Sequence, residues 1–212
     1  MKQALFVSLL VIATPLAAQQ QTGAAAAARP GGWQVRFDRA GVADTSFKID
    51  QMGPGWHVNT TMRGSGIMWR AEHTARGNFR VEAETFLFPT TSGHAEGYGL
   101  VVGGQNLEAD NQSYLYFLVR ADGQFLIKQR EGAQTRDIVP WTANPAVTRL
   151  TGTESVRETL AMEAAADSVR FLVNGTQVHA LPRSAVQVDG QVGLRVNHAS
   201  SVHISRVSVT QR

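Results

Sequence analysis

The sequence contains no cysteine among its 212 residues. Disulfide frameworks, thiolate metal sites and cysteine nucleophiles are therefore excluded, and the fold must be held together by its hydrophobic core. Charged residues are also sparse, at 17%, and the net charge of +3 comes from basic residues interleaved with acidic ones. Since that pattern lacks the one-sided basic cluster that tracks phosphates, nucleic acid is not an expected partner.

Long apolar runs are missing except at the N-terminus. Residues 1–18, MKQALFVSLLVIATPLAA, place one lysine before a short apolar run and end on small residues, which predicts a secretory signal peptide cleaved after Ala18. The run is shorter than the roughly 20 apolar residues that a membrane span needs. Residues 19–32, QQQTGAAAAARPGG, have no apolar pattern and predict a flexible tether. We expect an exported, periplasmic or extracellular monomer whose one ordered domain covers residues 33–212.

Sustained helical periodicity is also scarce, whereas short alternating segments separated by turn residues recur along the chain. Residues 114–120 and 124–130 alternate between two faces, and Asp122-Gly123 between them predicts a tight hairpin. Segment 154–166 is compatible with a helix or a strand, and we expect a strand over 159–164 because the neighbouring hairpins need a partner. Residues 70–77 are polar without a period and predict a loop. The sequence therefore predicts an all-β protein, an antiparallel β-sandwich.

The chain resembles the concanavalin A-like, laminin-G-like jelly roll in the order of its motifs, YGLVVGG, SYLYFLVRADGQFLIKQREG, DSVRFLVNGTQV and DGQVGLRVNHASSVHISRVSV. Within that superfamily it is most similar to secreted bacterial 3-keto-disaccharide hydrolase-like domains, through GNFRVEAETFLF and the closing strands. The resemblance covers residues 33–212 and implies two curved sheets with glycan bound on or beside the concave face. Laminarinase-type glucanases of the superfamily carry three acidic residues on one strand, and only Glu82 and Glu84 match, which argues against a retaining glucanase.

The candidate catalytic residues are two carboxylates and one imidazole. Glu82 and Glu84 point to the same face of one strand and could serve as general acid and base, or as ordinary ion-pair partners of Arg80. His203 is the third candidate, and any one of His203, Glu82 and Glu84 could be the base that removes the acidified C2 proton of a 3-keto sugar.

The candidate ligand-binding residues are aromatic and basic. Neighbouring hairpin strands offer aromatic planes and charged donors suited to a sugar, although cross-strand packing would use the same pairs: Tyr114, Tyr116, Lys128 and Arg130. Arg195 and Asn197 leave the core face of the penultimate strand and are expected to converge with His203, with Glu82 or Glu84 as the charge partner of Arg195. Trp69 could lie at the rim, although burial in the core is the more usual outcome for a tryptophan in a sandwich.

A glycan or small saccharide is thus the expected partner of a carbohydrate-binding domain. Two alternatives stay open, a glycoside-cleaving enzyme of the 3-keto-disaccharide hydrolase type and a structural cell-envelope domain. Zinc-ligand spacing, a phosphate loop and a nucleophile elbow are missing from the sequence, so no cofactor or metal is expected. Asp110-Asn111 is the one hint of an oxygen-ligand Ca²⁺ site.

Overall fold

A computed structural model describes residues 29–93 and 96–212 of the chain. The predicted signal peptide and most of the predicted tether therefore lie outside the described residues. The last part of the tether is described: Pro30–Gly32 form a 3₁₀ turn, and Arg29 pairs with Asp44 at 2.8 Å. Among the described residues, no helix is long and apolar enough to cross a membrane.

The described residues form fourteen strands, all paired antiparallel. They are β1 (Gln34–Phe37), β2 (Phe47–Met52), β3 (Gly55–Thr60), β4 (Gly66–Ala75), β5 (Phe79–Leu87), β6 (Gly97–Gln105), β7 (Ser113–Arg120), β8 (Gln124–Glu131), β9 (Gln134–Ala143), β10 (Val156–Ala164), β11 (Ser168–Val173), β12 (Thr176–Pro182), β13 (Gly190–Val196) and β14 (Ser201–Gln211).

Two seven-stranded sheets result. Sheet A has the order β1-β4-β13-β6-β7-β8-β9, and sheet B has the order β12-β11-β10-β5-β14-β3-β2. The predicted all-β antiparallel sandwich is confirmed. Segment 154–166, for which the sequence left helix and strand open, contains strand β10, which lies between β5 and β11 in sheet B.

Two hairpins follow from local turn chemistry. Gly123 has a φ of 82°, which costs glycine little, and β7 and β8 pair across this turn. Asn174 and Gly175, with φ values of 52° and 79°, join β11 to β12 in the same way. The register sets Tyr114 opposite Arg130, as the alternation of the sequence predicts.

The core lies between the sheets and is filled by the alternate residues of each strand. Phe117 of β7 is fully buried, and its ring contacts that of Phe125 in sheet A and that of Phe171 in sheet B, at centroid distances of 6.2 and 5.4 Å. Burying a side chain of this size contributes about 1.5–3 kcal/mol, so such contacts hold the two layers together without disulfides.

The predicted loop over residues 70–77 is wrong, because β4 continues through Ala75. Its polar half pairs with β13, where Thr74 lies opposite Gln191. The Gln191 side chain also donates to the carbonyl of Arg70 at 2.6 Å. Backbone pairing with a neighbouring strand holds this segment extended although its side chains lack an apolar alternation.

Candidate functional site in the hollow of sheet A

Sheet A is unusual in carrying apolar side chains on both faces. Its outer face, turned away from sheet B, has a second cluster whose members are all at most 5% exposed: Ile67, Trp69, Val101, Tyr114, Tyr116, Leu118 and Leu126, together with Leu107 from the loop after β6. Trp141 of β9 packs against this cluster. Large apolar side chains on an uncovered flat sheet would be exposed, so this face is either curved inward or covered, and the loop residue Leu107 covers part of it.

Contacts across the outer face demonstrate the curvature. Asp38 directly follows β1, and Arg130 lies on β8, five strand positions away in sheet A. On a flat sheet the two backbones would be about 24 Å apart, farther than both side chains reach together. Their charged groups are nevertheless 3.5 Å apart, between Arg130 Nη2 and Asp38 Oδ1. Sheet A therefore curves around a hollow, and the two side chains meet across it.

Arg195 lies at the floor of the hollow and is 6% exposed. Its Nη1 donates to Asp38 Oδ1 at 2.9 Å, and its Nη2 donates to Asp38 Oδ2, which makes a two-point guanidinium–carboxylate pair. Nη1 also donates to the hydroxyl of Tyr114 at 3.4 Å, and the guanidinium carbon lies 5.1 Å from the ring centre of Tyr116. Gly99, opposite Arg195 on β6, has no side chain to compete for this space.

The ionisation states in the hollow follow from burial and from these pairs. Burial by itself would raise the pKa of Asp38, but hydrogen bonding and charge from Arg195, with the charge of Arg130, hold that pKa below its ordinary value. Burial opposes the charge of Arg195, yet the bond to Asp38 raises its pKa above the usual value. Burial raises the pKa of Tyr116 to about 12. The site therefore presents a fixed ion pair beside neutral phenols.

The rim of the hollow is more accessible. Lys128 of β8 pairs with Asp137 of β9 at 2.8 Å, and the side chain of Lys128 is 26% exposed. Arg120 of β7 stacks over the Trp141 ring with its guanidinium carbon 4.4 Å from the centroid. Aromatic planes and charged donors thus continue from the floor of the hollow to its edge.

Most predicted ligand-binding residues come together on this face: Arg195, Tyr114, Tyr116, Lys128, Arg130 and Trp69. Trp69 is only 4% exposed, so it belongs to the apolar floor and the rim position is wrong. Asn197 follows β13, and its Oδ1 is buried with no hydrogen-bond partner among the described residues.

The candidate catalytic residues lie elsewhere, on the outer face of sheet B. Glu82 accepts hydrogen bonds from Arg80, with a closest contact of 2.5 Å, and pairs with Arg206 at 3.0 Å. Glu84 pairs with Arg157 and accepts a 2.7 Å hydrogen bond from the hydroxyl of Ser205.

His203 lies on the same face of sheet B and stacks on His57 at a centroid distance of 6.3 Å. The expected convergence of Arg195, Asn197 and His203 is therefore wrong, because β13 and β14 belong to different sheets. The expected pairing of Arg195 with Glu82 or Glu84 is wrong for the same reason, and Asp38 is the partner.

Sequence reasoning missed Asp38 and Trp141. Asp38 is a lone acid directly after the short strand β1, and Trp141 comes directly after Pro140 in an irregular edge strand. Neither position carries a motif, so the sequence offers no signal that would have identified them.

The described residues do not offer a Ca²⁺ site at Asp110. Its carboxylate pairs with Arg36 at 2.7 Å. Within residues 29–93 and 96–212, no three His, Cys, Asp or Glu side chains cluster closely enough to hold a metal ion. A lone carboxylate already bound to a guanidinium lacks the six or more oxygen ligands that Ca²⁺ takes.

Comparisons of sequence identify no relative, since no protein-family model and no curated protein matches the chain. The similarity to the 3-keto-disaccharide hydrolase-like domains therefore stays a prediction.

Comparisons of structure find several similar sandwiches. The carbohydrate-binding module CBM66 from Bacillus subtilis superposes with a TM-score of 0.62 at 14% identity, covering 85% of this chain and 96% of the module. A Bacillus subtilis protein of unknown function with a galectin-like fold gives 0.62 at 12% identity, covering 84% and 89%. The exoplasmic/lumenal domain of VIP36, in a Ca²⁺/mannose-bound form, gives 0.56 at 8% identity, covering 85% and 83%. The chain therefore shares the β-sandwich fold of these structures, one of which is described as galectin-like.

Proposed function

We propose that this protein is an exported glycan-binding domain whose ligand site is the hollow of sheet A. The observation that carries the proposal is the two-point pair of Arg195 and Asp38, held against the tyrosines of the floor. Polar groups that converge in a concave, aromatic-lined site are the usual mark of a ligand site.

Sugar chemistry matches these groups. Adjacent hydroxyls on a sugar ring can donate to the carboxylate of Asp38 and accept from a guanidinium such as that of Arg195 or Arg130. The apolar face of the ring packs on an aromatic plane, which the partly exposed Trp141 offers at the edge of the hollow. Two of the similar structures are, by their names, a carbohydrate-binding module and a mannose-bound domain, which supports the same ligand class.

Binding without turnover is favoured over the glycoside-cleaving alternative. Inside the hollow, Asp38 has a lowered pKa and is therefore a weak base. Glu82, Glu84 and His203 lie on sheet B, and both carboxylates are engaged by arginines. The hollow itself also weighs against a purely structural envelope domain, because such a role needs no converging polar groups.

Export is part of the proposal and rests on residues 1–18. A mature N-terminus at Gln19 is the expected product of signal cleavage. Mass spectrometry of the exported protein tests this directly, and an intact Met1 in exported material would contradict it.

The test of the binding site is a glycan array probed with the mature domain and two variants. Asp38→Asn keeps the shape of the side chain but removes the carboxylate charge, so retained neutral glycans, whose hydroxyls donate to that carboxylate, should bind at least about tenfold more weakly, as expected when a charged hydrogen-bond partner is lost. Glu163→Gln is the matched control, since Glu163 is also a buried, arginine-paired carboxylate but lies on sheet B.

The two variants separate the possible results. Loss of binding in Asp38→Asn with unchanged binding in Glu163→Gln supports the site. Equal binding of neutral glycans by wild type and Asp38→Asn refutes the site, and an array on which the wild type retains no glycan refutes the function.

A further inference from the structure

The ionic groups of the hollow do not balance. Arg195 and Arg130 share one carboxylate, that of Asp38, which is the only acid within ion-pair distance of either among the described residues. Three other basic side chains around the hollow each have an acid of their own: Arg36 with Asp110, Lys128 with Asp137, and Arg120 with Asp122. The group of three side chains formed by Arg195, Arg130 and Asp38 therefore carries one excess positive charge.

This excess charge is held away from water. The side chains of Arg195 and Arg130 are 8% and 12% exposed. Both Nε atoms are buried and have no hydrogen-bond partner in the described part of the chain. A buried charge without a counter-charge is costly, and unused donors on a buried guanidinium add to the cost. An anion entering the hollow would neutralise the excess charge and would accept hydrogen bonds from the unused donors.

The neighbouring tyrosines favour an anion as well. Burial raises the pKa values of Tyr114 and Tyr116, so both phenols stay neutral and can donate to an incoming oxygen. Arg39 adds a further positive potential at Asp38. The side chain of Asp38 is 23% exposed, so the pair can be reached from solvent.

We propose that the glycan bound in the hollow of sheet A is acidic, with a sugar carboxylate bound between Arg130 and Arg195 beside Asp38. This inference rests on the proposed function and names its ligand class. A uronate fits best because a planar carboxylate matches the two-donor edge of a guanidinium and brings the single negative charge that the group of three lacks. The remaining sugar hydroxyls are free to bind Asp38 and the tyrosine hydroxyls.

The experiment compares each acidic ligand with its own neutral form. Uronate oligomers, such as oligogalacturonate, are titrated calorimetrically into the mature domain beside the same oligomers with every carboxylate converted to the methyl ester. The sugar chain is identical in each acid–ester pair, so a difference in affinity is due to the carboxylates alone. We expect at least one acid to bind about tenfold or more tightly than its ester, the range of a charged hydrogen bond.

Substitutions of single arginines test where the sugar carboxylate binds. Arg130→Gln removes the excess charge while leaving the Arg195–Asp38 pair, so it should abolish the preference for acid over ester. Arg130→Lys keeps the charge and should retain a preference, which provides a second reading if the glutamine variant does not fold. Arg170→Gln, on the outer face of sheet B, is the control and should leave the preference unchanged.

The outcomes distinguish the two proposals. If neutral glycans bind and acids bind no better than their esters, the hollow is a glycan site and the acidic preference is refuted. A preference that survives in Arg130→Gln refutes the assigned position of the carboxylate. Tighter binding of a sulfated oligomer than of any uronate refutes a carboxylate as the recognised group. If no glycan of either kind binds, both proposals are refuted.

Discussion

Glu158 provides a quantitative test of the interior of the sandwich. It lies on β10, points between the sheets and is 1% exposed. Its Oε1 accepts a hydrogen bond from the backbone N–H of Thr148 at 2.5 Å, whereas Oε2 is buried with no partner among the described residues. One hydrogen bond is too little to keep a carboxylate charged in an apolar interior. Burial accordingly raises the pKa of Glu158 to about 7.

The sign of the effect on stability follows from proton linkage. In the unfolded chain the carboxyl titrates near its ordinary value of 4.5, whereas in the folded protein it holds its proton to about pH 7. The unfolded state therefore loses this proton first as pH rises. The contribution of the protonated Glu158 carboxyl to the free energy of unfolding is fully present below pH 4.5 and is lost between pH 4.5 and 7. That interval corresponds to roughly 3 kcal/mol of unfolding free energy.

Glu158→Gln isolates this contribution, because glutamine keeps the acceptor for Thr148 but does not ionise. Urea unfolding of both proteins between pH 4 and 8 should show the free energy of the variant rising by roughly 3 kcal/mol relative to wild type. Subtracting the wild-type free energy of unfolding from that of the variant at each pH cancels the contributions that the two proteins share.

Glu163→Gln is the control for the pH series, because arginines outweigh burial and lower the pKa of Glu163. Its difference from wild type should change by no more than about 0.3 kcal/mol between pH 5 and 8, since Glu163 is ionised in the folded state and mostly ionised in the unfolded state over that range. A flat difference for Glu158→Gln over the same range would refute the claim that Glu158 is buried uncharged.

Three further substitutions test the fold and the rim. Gly99→Ala would set a Cβ 2.1 Å from the carbonyl oxygen of Phe117, so a loss of about 1–3 kcal/mol is expected in urea unfolding, and an unchanged midpoint would contradict the close approach. Asn174→Ala removes two side-chain hydrogen bonds at a position with φ of 52°, and should cost about 2 kcal/mol in the same assay. Trp141→Ala should weaken glycan binding about tenfold while the melting temperature falls by only a few degrees, as for a partly exposed stacking ring; unchanged affinity would exclude Trp141 from the site.

The strands could be predicted because their signals are local. The two-residue period places Leu115, Phe117 and Val119 on one face of β7 without knowledge of any partner. Turn residues such as Asp122-Gly123 fix which strands are hairpin neighbours and their register. Where the local signal fails, as over residues 70–77, the backbone pairing with β13 decides the structure.

The site could be predicted only in part, because only some of its contacts follow from local signals in the sequence. Tyr114 and Arg130 are neighbours in one hairpin, so the sequence determined that they share a face. Asp38 and Arg195 are 157 positions apart, and the sheet order and the curvature of sheet A alone decide that they meet. β13 and β14 are consecutive in the chain but lie in different sheets, which separates Arg195 from His203. Alternation determines which side of a strand each residue occupies, whereas the long-range pairing of strands determines what that side faces.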